Sequence, residues 1–240
     1  YGTERIESEL QQFIPDARIQ RLDYETTRTK SAFENIITGF EKKEIDVLVG
    51  TQMLTKGLDF EALSLVGILD ADHALNFPDY RAFERSFQLF TQVGGRAGRR
   101  NKQGKVIIQA NQPDHFVVQQ VVEGNYEAFF DKEVADREKF HYPPFGRLIK
   151  ITVKHKDYLV TEKAGDMLAY LLRPQLGSMM LGPEEPYVTK IRGLFIRQLL
   201  IKVVPPMPLK GIKKHIQEKV LQFKQTKDYR QVRVIVDVDP

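Results

Sequence analysis

The stretch Asp46-Val47-Leu48-Val49-Gly50 is apolar in one run rather than at every second position. Hydrophobicity of this kind is typical of a strand buried on both faces of a parallel sheet. The run Leu65-Val66-Gly67-Ile68-Leu69 has the same character, and residues 18–22 and 105–109 are further strand candidates. Helical patterns separate these strands, and the alternation predicts a doubly wound α/β domain.

Apolar residues recur at helical spacing between the strands. The first predicted helix contains Ile6, Leu10 and Phe13, with Thr3 as its cap and Pro15 at its end. Further helices are predicted over residues 33–40, from about Asp79 to Phe90, and in one continuous pattern after Pro113.

The last of these helical patterns stops at Tyr142-Pro143-Pro144. Because proline removes a helical hydrogen bond, we expect a boundary here, with one domain over residues 1–143 and another over residues 144–240. The second domain has the predicted order strand, helix, strand, strand, helix, strand, over residues 148–153, 159–172, 187–191, 194–203, 209–223 and 232–238. This order predicts a ferredoxin-like β-α-β-β-α-β domain.

Composition excludes several classes of protein and site. A chain of 240 residues that is 42% hydrophobic can bury a substantial core. No apolar run approaches the ~20 residues that cross a membrane, and no signal peptide is visible, so a cytoplasmic protein is expected. The chain has no cysteine, which excludes disulfides and thiolate metal sites within it, and its five histidines lack metal-ligand spacing. No initiator Met is present, so a piece of a longer protein is expected.

The basic charge is concentrated in the second domain. Residues 190–233 contain twelve Lys and Arg but only two acidic residues, Glu218 and Asp228. A basic surface of this kind predicts an anionic partner, either nucleic acid or an acidic peptide. An ordinary solvated lysine face is the alternative interpretation.

Two further segments contain the candidate functional residues of the chain. The first runs from Val49 to Phe60, and the second is Gln92-Val93-Gly94-Gly95-Arg96-Ala97-Gly98-Arg99-Arg100. Arginines three positions apart at a helix start share one face and can both point at a polyphosphate. Glycines let a nucleotide or another backbone approach closely. For the arginine segment alone, a basic helix N-terminus that tolerates glycine is the alternative.

Together these segments resemble motifs V and VI of superfamily 2 helicases, which lie in the second RecA-like lobe. ATP hydrolysis needs positive charge at the departing γ-phosphate, and a second lobe can deliver it when the lobes close. Arg99 is the predicted arginine finger and Arg96 its companion. Gln92 is expected to orient them or contact the nucleotide, and Gly95 to keep the turn tight.

The earlier segment is expected to contact both nucleic acid and nucleotide. Thr51 and Gln52 follow a parallel strand, where α/β sheets place their ligands, and with Lys56 they are predicted to hold a nucleic-acid phosphate. Gly57 permits a turn, and Asp59 can accept a hydrogen bond from a ribose hydroxyl. A turn with Asp59 as a helix cap is the alternative.

Across nearly its whole length the sequence resembles the primosomal protein N′ family of replication-restart helicases. The residues that carry the resemblance are Gly2-Thr3-Glu4-Arg5, Thr51-Gln52-Met53-Leu54, Lys56-Gly57, Leu69-Asp70-Ala71-Asp72, Phe77-Pro78-Asp79-Tyr80-Arg81-Ala82, Glu84-Arg85-Ser86-Phe87-Gln88-Leu89, Gln92 to Arg99, Tyr142-Pro143-Pro144-Phe145-Gly146-Arg147, Leu181-Gly182-Pro183 and Asp237-Val238-Asp239-Pro240. It implies an ATP-driven 3′ to 5′ DNA helicase that recognises stalled forks and promotes primosome assembly.

The resemblance also implies cofactors and partners. ATP and Mg²⁺ would act in the intact enzyme, and two zinc ions would lie in a cysteine-rich segment that is not in this chain. The implied partners are DNA forks and single strands, other primosome proteins and the acidic tail of single-stranded DNA-binding protein. Lys210, Lys213 and Lys214 are the candidate contacts for that tail.

Several alternatives stay open at this point. Asp70 and Asp72 imitate the Mg²⁺-binding acidic box of helicases, but with no phosphate loop upstream we interpret them as strand-end residues. The chain could be a non-enzymatic nucleic-acid adaptor with a vestigial helicase lobe, or part of a helicase that acts on RNA or translocates on duplexes.

Overall fold

The computed structural model describes residues 2–51, 54, 63–95, 97 and 104–240. The chain divides into two compact units, Tyr1–Phe129 and Phe130–Pro240. This division lies within one helix, and the predicted domain boundary between residues 143 and 144 stays a prediction. Within the described ranges, no helix is both long and apolar enough to span a membrane.

The first unit alternates helices and strands. Its elements are α1 (Thr3–Phe13), β1 (Ile19–Leu22), α2 (Lys30–Glu41), β2 (Val47–Gly50), β3 (Leu65–Ile68), α3 (Ala71–Leu75), α4 (Ala82–Gly94), β4 (Lys105–Ile108), α5 (Phe116–Glu123) and α6 (Tyr126–Lys139), which continues into the second unit. The four strands form two parallel pairs in the described residues, β1 with β2 and β3 with β4. Parallel strands joined through helices confirm the predicted α/β class.

The starts of β1 and β2 are joined by an ion pair. The Arg18 guanidinium donates to both carboxylate oxygens of Asp46, at 2.8 Å from Nε and 2.6 Å from Nη2. These hydrogen bonds hold the pKa of Asp46 well below its ordinary value. The pair is exposed, so it links the starts of the two strands without adding much stability.

Two helix ends differ from the prediction. Gly2, not Thr3, occupies the cap position of α1, and the Thr3 hydroxyl instead donates to Asp23 at 2.7 Å. The helix predicted after Pro113 is in fact two helices, because Gly124 adopts a left-handed conformation with φ of 67° after α5. Asn125 immediately precedes α6, and its side-chain oxygen accepts from the Ala128 N–H at 3.1 Å.

Helices α3 to α6 enclose the apolar core of the first unit. Phe90 and Val117 are almost fully buried, and Phe87 stacks on Phe129 with ring centres 4.2 Å apart. Strands β3 and β4 contact this core through Ile68 and Ile108. Other apolar side chains in and beside these strands are less covered than the sequence predicts, with exposed fractions of 52% for Leu65, 54% for Leu69 and 49% for Ile107.

The second unit has the predicted order of helices and strands. Its elements are β5 (Arg147–His155), α7 (Tyr158–Leu176), β6 (Met180–Glu184), β7 (Lys190–Ile191), β8 (Leu194–Val203), α8 (Leu209–Gln225) and β9 (Arg233–Val238). The antiparallel sheet has the order β6-β8-β5-β9, with the short β7 also paired to β8. This arrangement confirms the ferredoxin-like prediction.

The second strand of this unit lies mainly outside the predicted residues 187–191. Only β7 falls there, and β6 is the longer strand. Gly182 and Pro183 make β6 a poor strand candidate by sequence, but β6 lies at the sheet edge, where a proline removes no ladder hydrogen bond. Gly182 has φ of 88°, and the pairing with β8 is irregular between Leu181 and Glu184.

Helices α7 and α8 cover one face of this sheet. Ile149, Ile151 and Val153 of β5 are fully buried in a core that also contains Leu168 of α7 and Phe223 of α8. These residues alternate along the strand, so the even-numbered residues between them point to the opposite face. The helices therefore leave that opposite face of the sheet to other contacts.

We predict that Gly182→Ala destabilises the second unit more than Gly193→Ala does. Both glycines have positive φ, 88° and 78°, which costs an alanine ~1 kcal/mol. Only at Gly182 would the new Cβ also overlap a backbone atom, lying 2.7 Å from the Gln198 carbonyl oxygen, whereas nothing lies within 4 Å at Gly193. Urea unfolding should show at least ~1 kcal/mol more destabilisation for Gly182→Ala. Equal effects would contradict the described edge of β6.

Candidate nucleotide and nucleic-acid site

The carboxyl ends of β1 and β2 meet at a close backbone contact. Leu22 pairs in register with Gly50. A Cβ at Gly50 would lie 2.6 Å from the Leu22 carbonyl oxygen and 2.7 Å from Leu54 Cδ1, so only glycine fits. Thr51 follows at once and is exposed. The structure thus places Thr51 at the edge of a parallel strand pair where α/β proteins bind ligands.

Beside Thr51, the loop that follows β1 is organised by Asp23. Its carboxylate accepts hydrogen bonds from the Thr3 hydroxyl at 2.7 Å and from the backbone N–H groups of Glu25 and Thr26, both at 3.0 Å. The Thr3 hydrogen bond, followed by that from the Thr26 backbone, lowers the pKa of Asp23. Asp23 is therefore ionised at neutral pH and holds a hydroxyl-rich loop in one conformation.

The Asp23 loop is a feature that the sequence analysis misses. A signal for it exists, since Asp followed by Thr three residues later, directly after a strand, favours a turn closed by side chains. The contribution of Thr3 has no local signal, because it comes from a residue 20 positions earlier.

Gln92 is exposed on the last turn of α4. Gly95 ends this helix, its N–H donating to the Thr91 carbonyl at 2.9 Å. Gly95 has φ of −66°, so its backbone conformation does not itself require glycine. Arg96 and Arg99, which are predicted to lie at a helix start, fall outside the described residues.

Several predicted site residues lie outside the described residues: Gln52, Lys56, Gly57, Asp59, Arg96 and Arg99. Their roles, like those of Thr51, Gln92 and Gly95, stay predictions. The structure brings Thr51 to the same strand edge as the Asp23 loop, and places Gln92 on a separate element, α4.

Asp72 has a structural role at the edge of the β3–β4 pair. Its carboxylate accepts from the Asn111 backbone N–H at 2.8 Å and so links the segments that follow the two strands. Asp70 has a left-handed conformation with φ of 54° and precedes α3. Across the described ranges, no cluster of three or more His, Asp or Glu side chains is arranged to hold a metal ion.

In the second unit, α8 presents a row of cations. Lys210, Lys213 and Lys214 are exposed, and Lys214 Nζ lies 3.9 Å from Glu218. Beside them is a groove between α8 and β9. Its apolar lining includes Ile216, Val220, Leu221, Val236 and Val238, and Lys213 and Lys224 line it as well.

The chain is similar to known proteins over both units. Residues 138–240 match the family model of the primosomal protein N C-terminal domain, and residues 2–101 match the helicase conserved C-terminal domain. Replication restart protein PriA of Bacillus subtilis is 37% identical over 241 residues, which cover 100% of this chain and 30% of that protein. PriA of Synechocystis is 42% identical over 218 residues, with 88% of this chain and 26% of that protein covered. PriA of Thermotoga maritima is 37% identical over 201 residues, with 84% and 27% covered.

This chain spans less than a third of the length of those three relatives. The matches extend across both described units, which confirms the resemblance that the two motif segments indicate. The chain therefore belongs to the replication restart protein PriA family and carries a helicase C-terminal domain followed by the C-terminal domain of that family.

Proposed function

We propose that this chain forms the second RecA-like lobe and the C-terminal domain of an ATP-dependent 3′ to 5′ DNA helicase. The intact enzyme recognises stalled replication forks and promotes primosome assembly and replication restart. The observation that carries the proposal is the helicase C-terminal match over residues 2–101, which includes both motif segments. Relatives named replication restart protein PriA support the DNA substrate.

On the nucleotide side, the proposed contribution is positive charge from the second segment. Arg99 is the arginine finger, and Arg96 binds the phosphates beside it. Gln92, exposed on the last turn of α4, orients the two arginines. Gly57, Asp59 and Gly95 complete the contacts to the nucleotide. Because ATP and Mg²⁺ bind mainly to the first lobe in this scheme, closure of the lobes couples hydrolysis to movement.

On the nucleic-acid side, the proposed contact is the edge formed by β1 and β2. Thr51, with Gln52 and Lys56, binds backbone phosphate without reading bases. The close approach of Gly50 to Leu22 supports this assignment, because it holds the Thr51 backbone in a fixed position. A hydroxyl and backbone N–H groups at this edge can bind the phosphates of a single strand and release them again when the helicase moves along it.

Zinc, in this proposal, is held by a cysteine-rich segment of the intact enzyme. The present chain contains no cysteine, so zinc is assigned to residues outside it.

The proposed partner of α8 is the acidic tail of single-stranded DNA-binding protein, which ends in apolar residues. Lys210, Lys213 and Lys214 would contact its carboxylates. The adjoining groove, with Val236 and Leu221 in its lining, would accept the apolar end. Other primosome proteins are expected to contact the intact enzyme.

We predict that the purified chain hydrolyses no ATP, and that Arg99→Ala in the full-length enzyme reduces DNA-stimulated hydrolysis at least about a hundredfold. The reason is that an arginine finger contributes roughly 10³ to 10⁵ in rate where it has been removed. A phosphate-release assay measures both rates.

Lys30→Ala is the control, since Lys30 pairs with Glu34 on the exposed surface of α2 and lies in neither motif segment. Hydrolysis by the chain alone that depends on Arg99 would contradict the division of the site between lobes. Full-length enzyme that restarts forks equally well with Arg99→Ala would favour the adaptor alternative.

We predict that combined Lys210→Glu, Lys213→Glu and Lys214→Glu substitutions abolish binding of the tail peptide. Three reversed charges turn attraction to its carboxylates into repulsion, and the exposed positions leave the fold intact. Isothermal titration calorimetry with the peptide measures the affinity.

The matched control reverses three exposed cations elsewhere in the unit, Lys163, Lys227 and Arg230. If both triple variants lose equal affinity, the effect is net charge alone, and α8 is not the binding surface.

A further inference from the structure

The Asp23 loop leaves one large side chain, that of Tyr24, in solvent. Tyr24 follows Asp23 directly in the segment that joins β1 to α2, and its exposed fraction is 82%. Burial of an aromatic ring stabilises a protein, so a ring this exposed adds little to the stability of the fold. Isolated exposed rings are common, and a role for Tyr24 therefore depends on its support and its position.

The backbone that carries Tyr24 is held by the loop itself. The Asp23 carboxylate accepts from the N–H groups of Glu25 and Thr26, both at 3.0 Å. Asp23 is in turn bound by the Thr3 hydroxyl at 2.7 Å. A tyrosine on a fixed backbone has only its side-chain torsions to order when it binds a ligand, so the entropy cost of the contact is small.

The threonine hydroxyls of the loop are already used within it. The Thr26 hydroxyl lies 3.2 Å from the carbonyl oxygens of both Arg21 and Asp23 and can donate to either. The Thr27 hydroxyl donates to the Asp23 carbonyl oxygen. Because a hydroxyl has one proton, neither threonine has a donor left for a phosphate. What this part of the loop offers a ligand is therefore the Tyr24 side chain.

Tyr24 also lies beside the proposed contact to a nucleic-acid strand. Leu22 and Gly50 are register partners, so Asp23 and Thr51 are the next residues on adjacent strands, which run about 4.8 Å apart. At about 3.8 Å per residue, the Cα atoms of Tyr24 and Thr51 are at most about 16 Å apart. A few nucleotides span that distance, since each advances roughly 3.4 Å or more. A strand bound at Thr51 can therefore bring a base to the Tyr24 ring.

The charge around Tyr24 favours a base over a phosphate. Asp23 is ionised, because hydrogen bonds from the Thr3 hydroxyl and the Thr26 backbone lower its pKa, and the Glu25 side chain is exposed. Carboxylates on both sides of Tyr24 in the sequence repel phosphate groups. A base is uncharged, and stacking on an aromatic ring tolerates every base because each has a π-face.

We propose that the Tyr24 ring stacks on a base of the single strand whose backbone is bound at Thr51. Tyr24 is then a nucleic-acid contact of a different kind from the phosphate contacts of Thr51, Gln52 and Lys56. The inference rests on the proposed binding of a strand at the edge of β1 and β2 and deepens it. The stack adds affinity without reading the sequence.

The test replaces Tyr24 by Ala and by Phe in the full-length enzyme. Fluorescence anisotropy measures the affinity for two labelled strands of equal length, oligothymidine and a strand made of abasic sites. Tyr24→Ala should bind oligothymidine roughly fivefold to a hundredfold more weakly, as expected for one lost stack. Tyr24→Phe keeps the ring and should keep the affinity. Neither change should alter binding of the abasic strand, which has no bases to stack.

Tyr170→Ala is the matched control. Tyr170 is the same type of residue and is 74% exposed, but it lies on α7 of the second unit. Its removal should leave the affinity for oligothymidine unchanged. Because both tyrosines are exposed, the unfolding temperature should change little in any of these variants.

An unchanged affinity of Tyr24→Ala for oligothymidine, or a loss matched by Tyr170→Ala, would overturn the inference. So would an equal loss for the abasic strand, or a loss in Tyr24→Phe as large as in Tyr24→Ala, since either would make the tyrosine hydroxyl a phosphate contact.

The proposed phosphate contact is tested separately by Thr51→Val, which should weaken binding of both strands alike. Hydrolysis by full-length Arg99→Ala reports on the helicase proposal. If Tyr24→Ala binds both strands normally while Thr51→Val and Arg99→Ala have their expected effects, the inference about Tyr24 alone is contradicted.

Discussion

The register of β5 is the constraint on which the second unit depends. A strand alternates its side chains with a period of two, so a slip by one residue exchanges the two faces completely. In β5 that slip would move Lys150 and Lys154 into the core and expose Ile149 and Ile151, which are fully buried. The cost of burying unpaired ammonium groups excludes every odd slip. The same alternation that builds the core therefore places the cations on the opposite face.

In the first unit the comparable constraint is a contact between main chains. Gly50 lies so close to the Leu22 carbonyl that no side chain fits between the strands at that point. The contact fixes the direction in which the chain leaves β2, and with it the position of Thr51. Asp23 does the same for the chain leaving β1, through hydrogen bonds that close its loop. The backbone geometry at the ends of β1 and β2 therefore fixes the position of the proposed DNA contact.

The sequence predicts the elements whose signals are local. Continuous apolar runs predict β2 and β3, and the β-α-β-β-α-β order of the second unit follows from periodicity. The prediction fails where position in the sheet outweighs local preference. The Gly182-Pro183 pair argues against a strand, yet β6 forms because it lies at an edge. The pairing of Lys154 with Arg233 could not be predicted, since it depends on a register between residues far apart in the chain.

For the candidate site, the position of Thr51 at a strand end could be predicted, whereas the Asp23 loop depends on Thr3 from another element.

The hydrogen bond between Thr3 and Asp23 has a mechanical consequence. It joins the first turn of α1 to the turn that leaves β1 at 2.7 Å, beside ion pairs that Arg21 of β1 forms with Glu4 and Glu7 of α1 and with Asp23. A pull on the start of α1 must either carry the loop with it or break this contact, which would leave a poorly hydrated carboxylate with fewer donors. The first turn of α1 and the loop next to Thr51 are therefore coupled through side chains as well as through the sheet, and a displacement of the helix start is expected to move this loop.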